Sequence, residues 1–133
     1  MTVGPVARDE ATAEFFDATA AGTFVLRRCP AGHFSEPPAA QCTICGSTSL
    51  DWEPASGGAT LVSWAVAWSR PASGEPQPTV LVIAELDEGP WWWSLLVDAD
   101  AAKLAVGQRL RIEFRRAGPG DEAVPVFALA STR

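Results

Sequence analysis

Cys29-Pro-Ala-Gly-His33-Phe-Ser-Glu-Pro-Pro-Ala-Ala-Gln-Cys42-Thr-Ile-Cys45-Gly46 holds all three cysteines and the only histidine of a 133-residue chain. Four such residues scattered at random would not crowd into 17 positions, so the cluster asks for a local cause. Metal binding supplies one, because thiolate sulfur and imidazole nitrogen are the donors zinc prefers. Cys42 and Cys45 form a Cys-x2-Cys knuckle closed by Gly46, which lets two thiolates converge on one ion without backbone strain. The other half-site is less regular. Where a second knuckle of this kind needs its cysteine the chain has Gly32, and the next donor is His33, so Cys29-x3-His33 must reach the ion with a different turn. Two readings stay open: a closed, structural Cys3His zinc site of Cys29, His33, Cys42 and Cys45, or a decayed ribbon whose cysteines pack as small apolar residues.

Outward from the cluster, Glu36-Pro37-Pro38 cannot sit inside a strand ladder and marks the ribbon's loop. Thr23–Arg28 delivers the chain into Cys29 as a short strand, and Leu50–Glu53 returns beside it. Upstream, Glu10–Ala21 reads as a helix, Ala-rich, with Phe15 and Phe16 on one side and Gly22 as a left-handed stop. Residues 1–9 show no periodic pattern and read as a loose lead-in.

Beyond the break at Pro54-Ala-Ser-Gly-Gly58 the texture changes to long alternating strands. Ala59–Ser69 alternates Leu61, Ser63, Ala65 and Ala67 against Val62, Trp64, Val66 and Trp68. After the loop Pro71–Pro78, Thr79–Leu86 is an apolar strand, and Asp87-Glu88-Gly89-Pro90 turns it into Trp91–Val97. Asp98–Leu104 reads as a short helix capped by Asp98, with Gly107 ending the segment. Arg109–Arg116 alternates Leu110, Ile112 and Phe114 inward against Arg109, Arg111, Glu113 and Arg115 outward, and Val124–Ala130 is the last strand. Five strands with a short helix between the third and fourth predict an OB-fold barrel. The fold class is therefore mainly β: an N-terminal helix (1–22), a zinc-ribbon-like segment (23–55) and a five-stranded OB-fold barrel (56–133).

Sixteen acidic residues against ten basic give a net charge of −6. An overall negative chain repels polyanions unless its basic residues are segregated, which disfavours a general nucleic-acid binder. Lys103 is the only lysine among the ten basic residues, and arginine suits planar contacts to phosphate and carboxylate. An odd cysteine count and the lack of a basic-then-apolar N-terminal run predict a reduced, cytoplasmic protein, and no apolar run is long enough for a membrane span.

The leading Phe15-Phe16 helix, the Cys29–Cys45 ribbon with Pro37-Pro38 between its knuckles, the Ser56–Thr60 entry, Glu85–Pro90, and Asp100–Gly107 occur together in this order. The combination resembles the OB-fold acyl-CoA-associated proteins with an N-terminal rubredoxin-like zinc ribbon. The resemblance implies a non-catalytic subunit that binds a thiolase-like enzyme, a thiolase or a steroid side-chain aldolase, as a hetero-oligomer. It also implies a part in acyl-CoA binding or channelling within lipid metabolism, steroid degradation in particular. The family's second cysteine is replaced here by Gly32.

The residues agree that catalytic equipment is missing, since the lone histidine already belongs to the cluster and no phosphate-cradling glycine loop is present. Asp87 and Glu88 read as solvated turn residues rather than an acid/base pair. Arg109, Arg111 and Arg115, at even spacings of two and four that put them on one strand face, are the candidates for the CoA phosphates, with a plain solvated face as the alternative. Three consecutive tryptophans cannot all enter one small barrel: if Trp92 points inward, Trp91 and Trp93 face out, or the reverse. Trp91 and Trp93 with Phe15 and Phe16 are the expected partner interface. A rival reading is a single-stranded nucleic-acid-binding ribbon/OB module that stacks bases on tryptophan.

Overall fold

The structure is a computed structural model that describes residues 3–69 and 74–130. Its elements in chain order are a helix α1 (Ala13–Ala20), strands β1 (Val25–Arg28), β2 (Phe34–Ser35), β3 (Asp51–Pro54), β4 (Gly58–Ser69), β5 (Gln77–Leu86) and β6 (Trp91–Leu96), a 3-10 turn (Ala101–Lys103), and strands β7 (Arg109–Arg115) and β8 (Val124–Leu129). Strands β2-β1-β3 form one small antiparallel sheet, and β4-β5-β6-β8-β7 close into a barrel through β4 and β7. Only the β6–β8 pairing is parallel, the strand order of an OB fold.

Local hydrogen bonds fix the turn that leads into the helix and the stop that ends it. Asp9 and Thr12 cap each other reciprocally, Asp9 N–H donating to Thr12 Oγ1 and Thr12 N–H to Asp9 Oδ1, both at 2.9 Å. At the other end Gly22, at φ 82°, lets Gly22 N–H reach Thr19 O and Thr23 N–H reach Ala18 O, a Schellman stop. The segment before it is not loose. Val3 is buried with Val97, Val126 and Ala128, and Arg8 bonds both Asp17 and Glu122 at 2.6 Å, so residues 3–9 are strapped to the barrel. No periodicity announced this, because the strap is held by single side chains rather than by a repeating face.

One irregularity resets the barrel's faces. Leu61 pairs with Ala84 but Ser63 with Ile83, so Val62 is a bulge. Strict alternation set Leu61 apart from Trp64; the bulge instead brings both onto the core side. Past it, Trp64 pairs with Val82 and Trp68 with Pro78 on the same face, and the β4–β5 ladder runs on where β5's pairing with β6 has ended, leaving Trp68 exposed.

Leu26, Leu61, Leu86, Leu96, Leu110 and Phe127 are fully buried in one core that also takes Phe15 of α1 and Phe24. Burying each such side chain stabilises by roughly 1.5–3 kcal/mol. In β6, Trp92 faces this core, 5.3 Å from Phe24 and 6.2 Å from Phe15 between ring centroids, and Trp91 and Trp93 face out. The short helix is a single 3-10 turn, and its cap is Asp100, which accepts from Ala102 N–H at 3.0 Å. Asp98, the expected cap, sits at φ 57° and pairs with Arg115 instead. No described helix is long and apolar enough to cross a membrane.

Candidate metal centre and binding surfaces

The ribbon brings Cys29, His33, Cys42 and Cys45 together with all four donor atoms within 4.8 Å of one another. Cys29 Sγ lies 3.5 Å from His33 Nδ1, Cys42 Sγ 3.7 Å from the same nitrogen, and Cys45 Sγ 3.8 Å from Cys29 Sγ. Zinc–sulfur and zinc–nitrogen bonds of ordinary length in a tetrahedron give edges of about 3.8 Å between sulfurs and about 3.5 Å between sulfur and nitrogen, so the donor set fits. The irregular half-site is made by a tight turn in which Gly32, at φ 89°, donates to Cys29 O and Cys29 N–H bonds His33 O at 3.0 Å. The regular knuckle aims the N–H groups of Ile44 and Cys45 at Cys42 Sγ, each at 3.4 Å. These hydrogen bonds, Cys45's first, outweigh burial and pull the Cys42 thiol down to about 6, toward the thiolate a metal requires. Cys29 and Cys42 are buried and Cys45 is exposed.

Arg109, Arg111 and Arg115 do share one face of β7, and each already has a carboxylate. Arg109 makes a two-pronged contact with Asp87 at 2.8 and 2.9 Å. Arg111 bonds Glu113 at 2.5 Å and the Leu129 carbonyl, and Arg115 bonds Glu113 at 2.8 Å and Asp98 at 3.1 Å. The Arg109 guanidinium holds the Asp87 carboxyl below its usual range, and Arg115 with Arg111 does the same for Glu113. Asp87 and Glu88 are not idle turn residues either. Glu88 accepts from Ser56 N–H at 2.7 Å, Asp87 N–H bonds Gly58 O at 3.0 Å, and Asp87 lies against Gly58 beside Arg109, so the turn clasps the entry to the barrel. Sequence reasoning missed this clasp, whose partners lie some 20 to 30 residues apart.

The aromatic candidates divide. Phe15 is 7% exposed, its ring packed among Phe16, Phe24, Trp52 and Trp92, so it belongs to the core cluster rather than to the exposed exterior; Phe16 is half-buried beside it. Trp91 and Trp93 are 49% and 72% exposed. Trp93 borders a shallow depression of about 410 Å³ on the outer wall of β4, β5 and β6, with Ala65, Leu81, Ile83 and Leu95. Among the described residues no charged one lines it.

Fold and site define a ribbon-led OB-fold protein, a Cys/His four-donor centre set before a closed five-stranded barrel. Residues 52–115 match the family model described as ChsH2, C-terminal OB-fold domain. The OB-fold domain over these residues belongs to that family, and the chain as a whole is similar to DUF35 proteins. It is 27% identical over 96 residues to a DUF35 domain-containing scaffold protein of Pyrococcus furiosus, covering 71% of each chain. It is 30% identical to a probable enoyl-CoA hydratase alpha subunit of Thermomonospora curvata, over 85% of this chain and 35% of that one. With a 3-oxo-4,17-pregnadiene-20-carboxyl-CoA hydratase alpha subunit of Mycobacterium tuberculosis it shares 28% identity, over 77% of this chain and 33% of that one. The chain thus spans about a third of the length of both hydratase subunits. Among solved structures, one described as Ltp2-ChsH2(DUF35) aldolase superposes with a TM-score of 0.80 at 29% identity, covering 95% of this chain and 99% of that one. A DUF35 protein of Sulfolobus solfataricus, at TM-score 0.60 and 12% identity over 91% and 86% of the two chains, shares the fold.

Proposed function

We propose that this chain is a non-catalytic accessory subunit that docks on a thiolase-like enzyme, a thiolase or an aldolase of steroid side chains, and assists acyl-CoA binding or channelling. The observation that carries the reading is the uncharged apolar wall around Trp93, with Leu81 45% exposed beside it. A large exposed tryptophan at the centre of an apolar patch is the composition of an interface anchor. The likeness to the Ltp2-ChsH2(DUF35) aldolase and to a protein named as a scaffold supports the same assignment. The sole histidine lies in the Cys/His centre, so no serine, threonine or cysteine elsewhere has an imidazole base, which favours a binding role over a catalytic one.

The Cys/His centre holds one zinc ion and serves structure, since four protein donors leave no open position for water. For the CoA phosphates, Arg111 is the arginine to test first. Its carboxylate partner Glu113 is shared with Arg115, so a phosphate can displace Glu113 without leaving that carboxylate unpaired. The experiment is titration calorimetry of CoA into the assembled complex with native chain and with Arg111→Ala; a weakening of several-fold is expected, and unchanged affinity removes Arg111 from the site. Neutralised arginines and the net charge of −6 weigh against the nucleic-acid reading.

A further inference from the structure

Between α1, the ribbon loop around Pro37-Pro38 and the barrel lies a second cleft, of about 650 Å³. Ligand pockets run from roughly 300 to 1,000 Å³ and combine apolar walls with a few polar groups. Phe15, Phe16, Trp52 and Trp92 supply the walls here, and the cation among them is Arg27. Arg27 projects from β1 opposite Trp52, its guanidinium carbon 4.3 Å from the centre of that ring. Arg8, Arg28, Arg109, Arg111 and Arg115 each have a carboxylate within 4.0 Å; among the described arginines Arg27 and Arg116 have none, and Arg116 bonds the Asp121 carbonyl instead. Its Nε–H is buried without an acceptor, and so is the Nε1–H of Trp92 in the same wall. Nearly all buried N–H groups in folded proteins find a partner, so two orphans around one cleft mark a place where an acceptor belongs.

We infer that this cleft binds an amphipathic acid, an apolar chain or ring system lying along the aromatic walls with its carboxylate, or the carbonyl oxygen of its acyl group, on Arg27. Arginine stacked on tryptophan presents its edge to such a head group in the fixed fork that suits carboxylate. Exposed Glu14 lines the same cleft from α1 without pairing with Arg27, and its charge opposes an anion. It orients the guest by pushing the head toward Arg27. The site rests on the accessory-subunit reading only for the source of the acid, which would be the acyl group the complex handles.

The test uses the isolated full chain and decanoate below its micellar concentration, followed by the fluorescence of Trp52 and Trp92 and by calorimetry, with decanol and decylamine as neutral and cationic counterparts. Decanoate is expected to bind saturably and at least about ten-fold tighter than either counterpart. Arg27→Gln should weaken it about ten-fold or more, and Glu14→Gln, an exposed substitution that leaves the fold intact, should tighten it two-fold or more. Equal binding of decanol and decanoate, no saturable binding by either, or indifference to both substitutions would overturn the assignment. Because no partner enzyme is present in this assay, its failure leaves co-elution with a thiolase-like enzyme as a separate question.

Discussion

A β-carbon on Gly58 would lie 2.3 Å from Asp87 Oδ2 and 2.8 Å from Arg109 Nη2. Both obstacles are side-chain ends, so the backbone need not move; the ion pair must. Gly58→Ala is expected to cost about 1 kcal/mol by urea denaturation, within the range for crowding a packed site. In an Asp87→Asn background part of that cost should disappear, because the pair it breaks is already gone. Asp87 also sets a pH dependence. Its folded pKa lies below the ordinary 3.8, so its contribution is fully present above that value and is lost as pH falls through the folded pKa. Asp87→Asn should therefore flatten the stability profile below about pH 4 and leave it parallel to native at neutral pH. With the carboxylate side chain 39% exposed the effect is a small one, reduced by solvent screening.

At the scale of elements, the ribbon and β6 make separable predictions. Strands of two to four residues cannot hold a knuckled loop by themselves, so a metal held by the proposed Cys/His centre would supply folding energy for β1, β2 and β3. Protein purified without added metal should contain one zinc per chain. Cys42→Ser should abolish it and raise amide exchange in β1–β3 well before the barrel strands; zinc content near zero in the native protein would retire the metal site. In β6 the neighbouring tryptophans should part company. Trp92→Ala removes an indole wedged against Phe15 and Phe24 and should destabilise by roughly 2 kcal/mol or more, seen as a lowered urea midpoint. Trp93→Asp should leave the unfolding free energy within about 0.5 kcal/mol of native, as a surface change does.

On the scale of the whole molecule, the outer wall of β4–β6 is the surface that requires an explanation from outside the chain. The isolated protein should self-associate in light scattering, and a stoichiometric complex should form when the right thiolase-like enzyme is added. Trp93→Asp should suppress both. A monodisperse chain that ignores every candidate thiolase would count against the accessory-subunit reading. Filter binding of single-stranded DNA at low salt should show no salt-dependent retention.

Much of this was legible before any coordinates. Thiol and imidazole donors mark out by their chemistry a four-donor set that could hold a metal, and the five barrel strands and the split of Trp91 and Trp93 from Trp92 follow from a period of two that each strand carries within itself. These are local properties, set by residues a few positions apart. What the tertiary structure alone decided is non-local. Val62 is indistinguishable in sequence from an in-register valine, and only its pairing across to β5 makes it the bulge that moves Trp64 to the core side. Phe15 and Phe16 read as equivalent until Phe24, Trp52 and Trp92 arrive from three other segments to bury the first. The strap of residues 3–9, the carboxylates that neutralise three arginines of β7 and the isolation of Arg27 in its cleft are likewise facts about neighbours, and neighbours far apart in the chain are chosen by how the hydrophobic core closes.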